Sequence, residues 1–192
     1  MDNAALTAKV TEIASDYGAC AVGVTTVETL AGGPPTTDLE YVLPGARSAV
    51  TFALPYDQAK IEDFIAKRDR QAHQQDYSRT NTMASGIAAQ IAGYIDHFGH
   101  QSVGVLSNEV YRNDEEVQHR HMRPDISHRL LAVRGGVGWF GLSGNVLTLD
   151  HGAMVSLATA VTTAELEPTA PLPAAENFCQ CEEMECVSAC PA

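Results

Sequence analysis

Cysteine is nearly absent from the first 178 residues of this chain, where Cys20 stands alone, and then Cys179, Cys181, Cys186 and Cys190 follow in quick succession, with Pro191 after the last. Thiolates at C-x-C-x4-C-x3-C spacing can converge on one soft metal centre, an iron-sulfur cluster or a zinc knot, so all four are candidate metal ligands. A second concentration of chemistry lies at HRHMRPDISHRLLAVRGG (119–136), where arginines and histidines gather in an otherwise acidic chain. Here His121 and His128 are candidate proton carriers near neutral pH, and Asp125 would need burial to serve in that way. Tyr111, in NEVYRND, is a further candidate as a phenolic donor.

The ending C-x3-C-P matches the close of the bacterial ferredoxin run, although Gln180 and Glu183 stand where that run would put cysteines. In two-cluster ferredoxins the fourth cysteine of such a run ligates the other cluster, and no second run is present here. On that logic the tail reads as the first half of a two-cluster module, and the natural protein is expected to continue. Glu182, Glu183 and Glu185 read as a solvated loop around the thiols, and Cys20, inside an apolar run, reads as inert core.

The elements that must position these groups follow from periodicity. The chain has 192 residues, 45% of them apolar, enough for one domain with a sizeable core. Leu6, Val10, Ile13, Ala14 and Tyr17 recur at helical spacing behind Asp2 and Asn3, so residues 4–17 are expected to form a capped amphipathic helix. Buried strands are expected at 19–27, 48–56 and 101–107, and helices over 57–75 and 83–99, the latter with Ile87, Ile91, Tyr94, Ile95 and Phe98 as its core stripe. After a helix near 125–133 come a glycine-rich turn, the strand VLTL, the turn DHG and the strand AMVSLATAVTT. Alternating helices and buried strands give an α/β class. The domains are expected at 1–164, a proline-rich linker at 165–177 and the cysteine segment at 178–192.

The formal net charge of -12 argues against broad attraction to nucleic acid or anionic membranes. No apolar run reaches membrane-spanning length, and the N-terminus carries neither a basic signal region nor a twin arginine, so a cytoplasmic protein is expected.

In order along the chain, LPGARSAVTFALPYD (43–57), QDYSRTNTMASGIAAQIAGYIDHFG (75–99), the A-x-R-x-G-x-G-W-x-G core from Ala132 to Gly141 and the cysteine tail together resemble the epoxyqueuosine reductase and reductive dehalogenase superfamily. The resemblance implies a nitroreductase-like cobalamin-binding domain with a central β-sheet flanked by helices. It also implies a ferredoxin-like module whose two 4Fe-4S clusters pass electrons to the corrinoid. Carried over position by position, Tyr56, Gly144 and Val155 fall where members of the superfamily approach the corrinoid, with Tyr77 a looser match. Gly135, Gly136, Gly138 and Gly141 would let backbone approach a flat macrocycle, and Trp139 would supply a wall. Without that context the turn is an ordinary connection and Trp139 is core.

The superfamily's catalytic aspartate has no counterpart here, because the matching stretch is HRHM (119–122). Asp125, His121, His128 and Tyr111 remain as alternatives for the proton donor, Asp125 being better explained as a helix cap or dipole partner. The function implied is a cobalamin- and 4Fe-4S-dependent reductase of an organic substrate, fed by a ferredoxin- or flavodoxin-type electron donor. The charge disfavours tRNA as that substrate. Two other readings stay open: a corrinoid or electron carrier without turnover, and a flavin-dependent oxidoreductase on the same fold.

Overall fold

The computed structural model describes residues 2–105, 124–179 and 185–188. Four strands form an antiparallel sheet in the order β1-β2-β6-β3, with β1 at Ala21–Thr26, β2 at Ser48–Pro55, β3 at Ser102–Val105 and β6 at Val155–Thr162. A two-residue ribbon, β4 (Trp139–Phe140) with β5 (Val146–Leu147), stands apart from it. Helices α1 (Asn3–Asp16) and α3 (Arg70–Asp96) cover one face, and α4 (His128–Arg134) packs on the other. A mixed α/β fold with a central sheet between helices is what the sequence pattern called for.

Strand alternation sorts the side chains between the two layers. Val50, Phe52 and Leu54 of β2 join Leu6, Val10 and Ile13 of α1 and Ala84, Ile87, Ile91 and Ile95 of α3 in one core. The intervening Ala49 and Ala53 face α4 with Leu131, Ala132, Val137 and Val161. Burying a side chain the size of Phe52 or Ile91 stabilises the fold by roughly 1.5–3 kcal/mol.

Helix α1 begins as expected, with Asp2 Oδ1 accepting from the Ala5 amide at 2.7 Å. Tyr17 departs from its expected place in the core stripe: it caps the helix C-terminus, stays half exposed, and its hydroxyl accepts from Gln90 Nε2. Helix α3 runs 27 residues, joining two segments that the periodicity had kept apart. Its buried face continues through Asp76 and Thr80, in helical register with Ala84, Ile87 and Ile91. A polar residue on the buried stripe carries no hydrophobic signal, which is why residues 76–82 did not read as helix. The expected helix at 57–75 is interrupted at Lys67, which takes a φ of 58° between α2 (Gln58–Ile65) and α3.

Asp76 explains the junction. Its carboxylate, 3% exposed, accepts from the Asp57 amide at 2.8 Å and lies 3.7 Å from Lys60 Nζ, tying the start of α2 to α3. Asp57 in turn caps α2 and meets Lys60 Nζ at 3.1 Å. The Lys60 side chain and then the Lys60 amide hold the Asp57 carboxyl below its ordinary value. A depressed folded value means the contribution is complete above the ordinary carboxylate pKa and is lost as pH falls through the depressed one. The protection of α2 amides against exchange, relative to the intrinsic rate at each pH, is therefore expected to fall below about pH 4, ahead of that of α3.

Residues 165–173 form neither helix nor strand, Ala174–Glu176 form a short 3-10 helix, and the segment lies against the domain. The Val24 amide donates to Thr169 Oγ1 and the Thr169 amide to Val24 O, so the segment covers the outer edge of β1. Leu166 and Glu167 are tied to Ser48 and Thr7. Among the described residues, no helix is long and apolar enough to cross a membrane.

Candidate active site

Among the described residues β3 pairs with β6 as far as Val105 opposite Thr159, and residues 155–158 of β6 continue alongside β2. At that end of the sheet a cavity of about 820 Å³ opens between the C-terminal end of β2, the middle of α3 and the approach to α4. Its volume lies toward the upper end of the range typical of small-molecule and cofactor sites.

One wall is aromatic. Tyr56, just past β2, stacks on Tyr77 of α3 with ring centroids 5.9 Å apart and planes 15° from parallel. Behind them stands a polar node: Tyr56 Oη donates to Asn81 Oδ1 at 3.3 Å, and Ser156 Oγ donates to the same oxygen at 2.7 Å. Tyr77 and Asn81 share a face because they are four residues apart on α3. Burial pushes the Tyr56 phenol above its ordinary value, so it remains a neutral donor at physiological pH. Val155, at the start of β6, lines the same cavity.

The opposite wall comes from the approach to α4. Asp125 and His128 both line the cavity. Asp125 does not cap the helix; that role falls to Ser127, whose Oγ accepts from the Leu130 amide. His128, the first residue of α4, points one ring nitrogen into the sheet, where Nδ1 lies 2.8 Å from Thr159 Oγ1. Thr159 is fully buried and bonds in turn to Thr51, its register partner on β2, at 2.9 Å. Arg129 reaches Gly144 O at 3.2 Å, which fixes the loop carrying Asn145 to the cavity rim. His121 and Tyr111 lie outside the described residues.

The glycine-rich turn sits beside this cavity, and its Gly135, Gly136, Gly138 and Gly141 are engaged in packing. A methyl at Gly138 would come 2.4 Å from Leu147 O, and one at Gly136, which has a φ of 76°, would come 2.4 Å from Ala170 O. Gly135 presses against Gly23 of β1. Trp139 is 6% exposed and donates through Nε1 to Pro173 O, with Phe178 meeting it edge-on. Gly135, Gly136, Gly138, Trp139, Gly141 and Gly144 are not among the residues lining the cavity; Gly144 adjoins it through Asn145.

What the turn does reach is the cysteine segment. Cys179 Sγ accepts from the Leu142 amide at 3.3 Å and lies close under Gly141, while Asn177 Nδ2 donates to Phe140 O. Cys186, on the short α5 (Glu185–Ser188), is exposed; Cys181 and Cys190 lie outside the described residues. Among the described residues no three histidine, cysteine or carboxylate side chains gather at ligating distance. Cys20 is partly buried at the margin of the core: its thiol donates to Ala53 O, and burial raises its pKa.

Comparison with known proteins gives these features a context. No family model matches the chain. An epoxyqueuosine reductase of Gloeobacter violaceus is 30% identical over 163 residues, covering 82% of this chain and 44% of that protein. A structure of epoxyqueuosine reductase from Bacillus subtilis superposes with a TM-score of 0.65 at 20% identity, over 97% of this chain and 52% of the other. The superfamily resemblance read from the sequence is borne out. A catabolic reductive dehalogenase shares the fold, with a TM-score of 0.64 at 19% identity over 90% of this chain and 21% of its own. The chain thus spans less than half of the curated superfamily member it matches.

Asn81, Ser156, Thr51 and Thr159 were missed as site residues by sequence reasoning. A signal for Asn81 existed in its i, i+4 spacing from Tyr77, and for Ser156 in its adjacency to Val155. The threonines are visible only through strand register.

Proposed function

We propose that this chain is the cofactor- and substrate-binding part of a cobalamin- and iron-sulfur-dependent reductase acting on a small or medium organic substrate. The observation that carries the reading is the cavity itself: about 820 Å³ at the end of the sheet, walled by the Tyr56–Tyr77 stack and edged by Asn81, Ser156, Asn145 and Arg129. Such a lining fits a large, flat ligand with polar side arms, because aromatic faces and aliphatic side chains take the plane while amides and hydroxyls take the periphery. The soft thiolates of Cys179 and Cys186, the first receiving an amide hydrogen bond at sulfur, fit iron-sulfur ligation.

When bound, the corrinoid would supply the electron-transfer chemistry and the clusters its electrons. The chain's own residues do the rest. Tyr56 stays protonated and keeps its hydroxyl aimed at Asn81, so the aromatic wall holds one orientation. The valines and Leu157 exclude water from the apolar side. His128 and Asp125, opposite the tyrosines, are the described groups able to hold or deliver a proton at the cavity. The net charge of -12 favours a compact organic substrate over a polyanion such as tRNA.

Anaerobic gel filtration with cobalamin, and separately with FMN, tests the reading. Coelution of the corrinoid in about one-to-one ratio, with FMN eluting free, is expected. Retention of FMN with cobalamin eluting free would replace it by a flavin enzyme, and loss of both would remove the cofactor reading.

A further inference from the structure

Valine would match the shape of either residue beneath His128, yet both are threonines facing each other at the centre of the sheet. Thr51 and Thr159 are each 0% exposed and occupy opposed positions of β2 and β6. Both lie on the face of the sheet turned toward α4, alternating with Phe52 and Ala160, which belong to the other core. The contacts form a chain: Thr51 Oγ1 to Thr159 Oγ1 at 2.9 Å, and Thr159 Oγ1 to His128 Nδ1 at 2.8 Å.

Each hydroxyl has a single proton, and that decides the direction of the chain. Among the described residues Thr159 is the one side-chain partner of Thr51. A buried O–H without an acceptor costs more than an unused lone pair, since hydroxyl oxygen has two lone pairs and only one proton. Thr51 therefore donates to Thr159, and Thr159, with its own proton still to place, donates to Nδ1. An imidazole nitrogen that accepts a hydrogen bond carries no proton, so in the neutral ring the proton resides on Nε2, the nitrogen on the far side from the sheet.

We propose that Thr159 and Thr51 are positioning residues that hold His128 at the cavity wall as the neutral Nε2–H tautomer. Placing a second proton on Nδ1 would reverse the chain and leave the Thr51 hydroxyl buried with nothing to accept it. The sheet thus presents His128 as a donor through Nε2, with its ring plane fixed from below. This rests on the reductase reading only in giving that donor a proton to deliver; the tautomer itself follows from the hydroxyl chain.

The test is nitrogen-15 NMR of the imidazoles in the whole chain at about pH 8.5, where an ordinary histidine is neutral, with His128→Gln assigning the signal. The wild type is expected to show one dominant species, with a pyridine-like Nδ1 shifted by a hydrogen bond and a pyrrole-like Nε2. Thr159→Val, which keeps the shape of the side chain, should lose that hydrogen-bond shift, and Thr159→Ser should restore it. Thr51→Val, which leaves Thr159 without an incoming proton, should give a mixture of tautomers with the fold intact by circular dichroism. A wild-type spectrum dominated by the Nδ1–H tautomer would overturn the proposal, as would identical shifts in wild type and Thr159→Val. Failure of cobalamin to bind, with the tautomer pattern as expected, would remove the reductase reading and leave the hydroxyl chain standing.

Discussion

Replacing Gly23 by alanine is expected to lower stability by about 3 kcal/mol, and the melting temperature by roughly 6–12 °C for a chain of this length. The cause is backbone against backbone. A methyl at Gly23 would sit 2.0 Å from Gly135 O and 2.7 Å from Gly135 C, with Val137 Cγ2 at 3.0 Å. Flexible side chains can swing away from such a clash, but a carbonyl closing α4 cannot, because the Gly135 amide is itself bonded to Leu131 O. The damage would spread to the glycine turn and the Cys179 contact that the turn supports. Gly86→Ala makes the contrast: in mid-helix on α3, exposed and with nothing within 4 Å of the added methyl, it should stabilise by about 0.5–1 kcal/mol. Thermal unfolding of the two variants measures both signs in one experiment, and equal shifts would show that the close approach of β1 and α4 is not rigid.

Asn81→Leu should cost about 2 kcal/mol and weaken ligand binding in the cavity by roughly ten- to a hundredfold. Its Oδ1 accepts two hydroxyl protons, from Tyr56 and from Ser156, and the latter is 4% exposed with little access to water. Leucine matches the shape and deletes both acceptors, so two donors lose their partner together. Tyr56 would then be free to leave its stack on Tyr77, and the flat wall would lose its orientation. Asn81→Asp keeps an acceptor in place and should hold stability to within about 1 kcal/mol of wild type. Chemical denaturation separates the two: equal loss in both variants would mean that bulk, not the shared acceptor, organises this corner.

How much of this was legible beforehand depended on what kind of signal each residue carries. Apolar periodicity announced α1, the four strands of the sheet and the second half of α3, because Leu6, Val50, Ile91 and their neighbours repeat at the right intervals. It missed residues 76–82 of α3, where the buried positions are Asp76 and Thr80. Tyr56, Tyr77, Val155, Asp125 and His128 were named from motif or residue chemistry, and the fold brings all five to one cavity. The glycines and Trp139 were named with them and lie elsewhere, because glycine in a sequence signals close approach without saying to what. Here the near neighbours of Gly23, Gly136 and Gly138 are the chain's own carbonyls. Thr51 and Thr159 stand 108 positions apart and meet only once the register of β2 on β6 is known. The hydrogen bonds that press the proline-rich stretch onto the domain join its amides and Thr169 to Val24, Ser48 and Thr7, and such pairings leave no mark on composition.

The most direct measurement is an anaerobic equilibrium titration with cobalamin, followed by absorbance, of the wild type and of Ala153→Trp. Ala153 lines the cavity at an exposed position, so an indole there obstructs the opening without disturbing the core. The account predicts saturable one-to-one binding by the wild type and at least about tenfold weaker binding by the variant, with unchanged melting temperature. Equal affinity in the two proteins would contradict it, and would put the corrinoid somewhere other than the cavity between Tyr56 and His128.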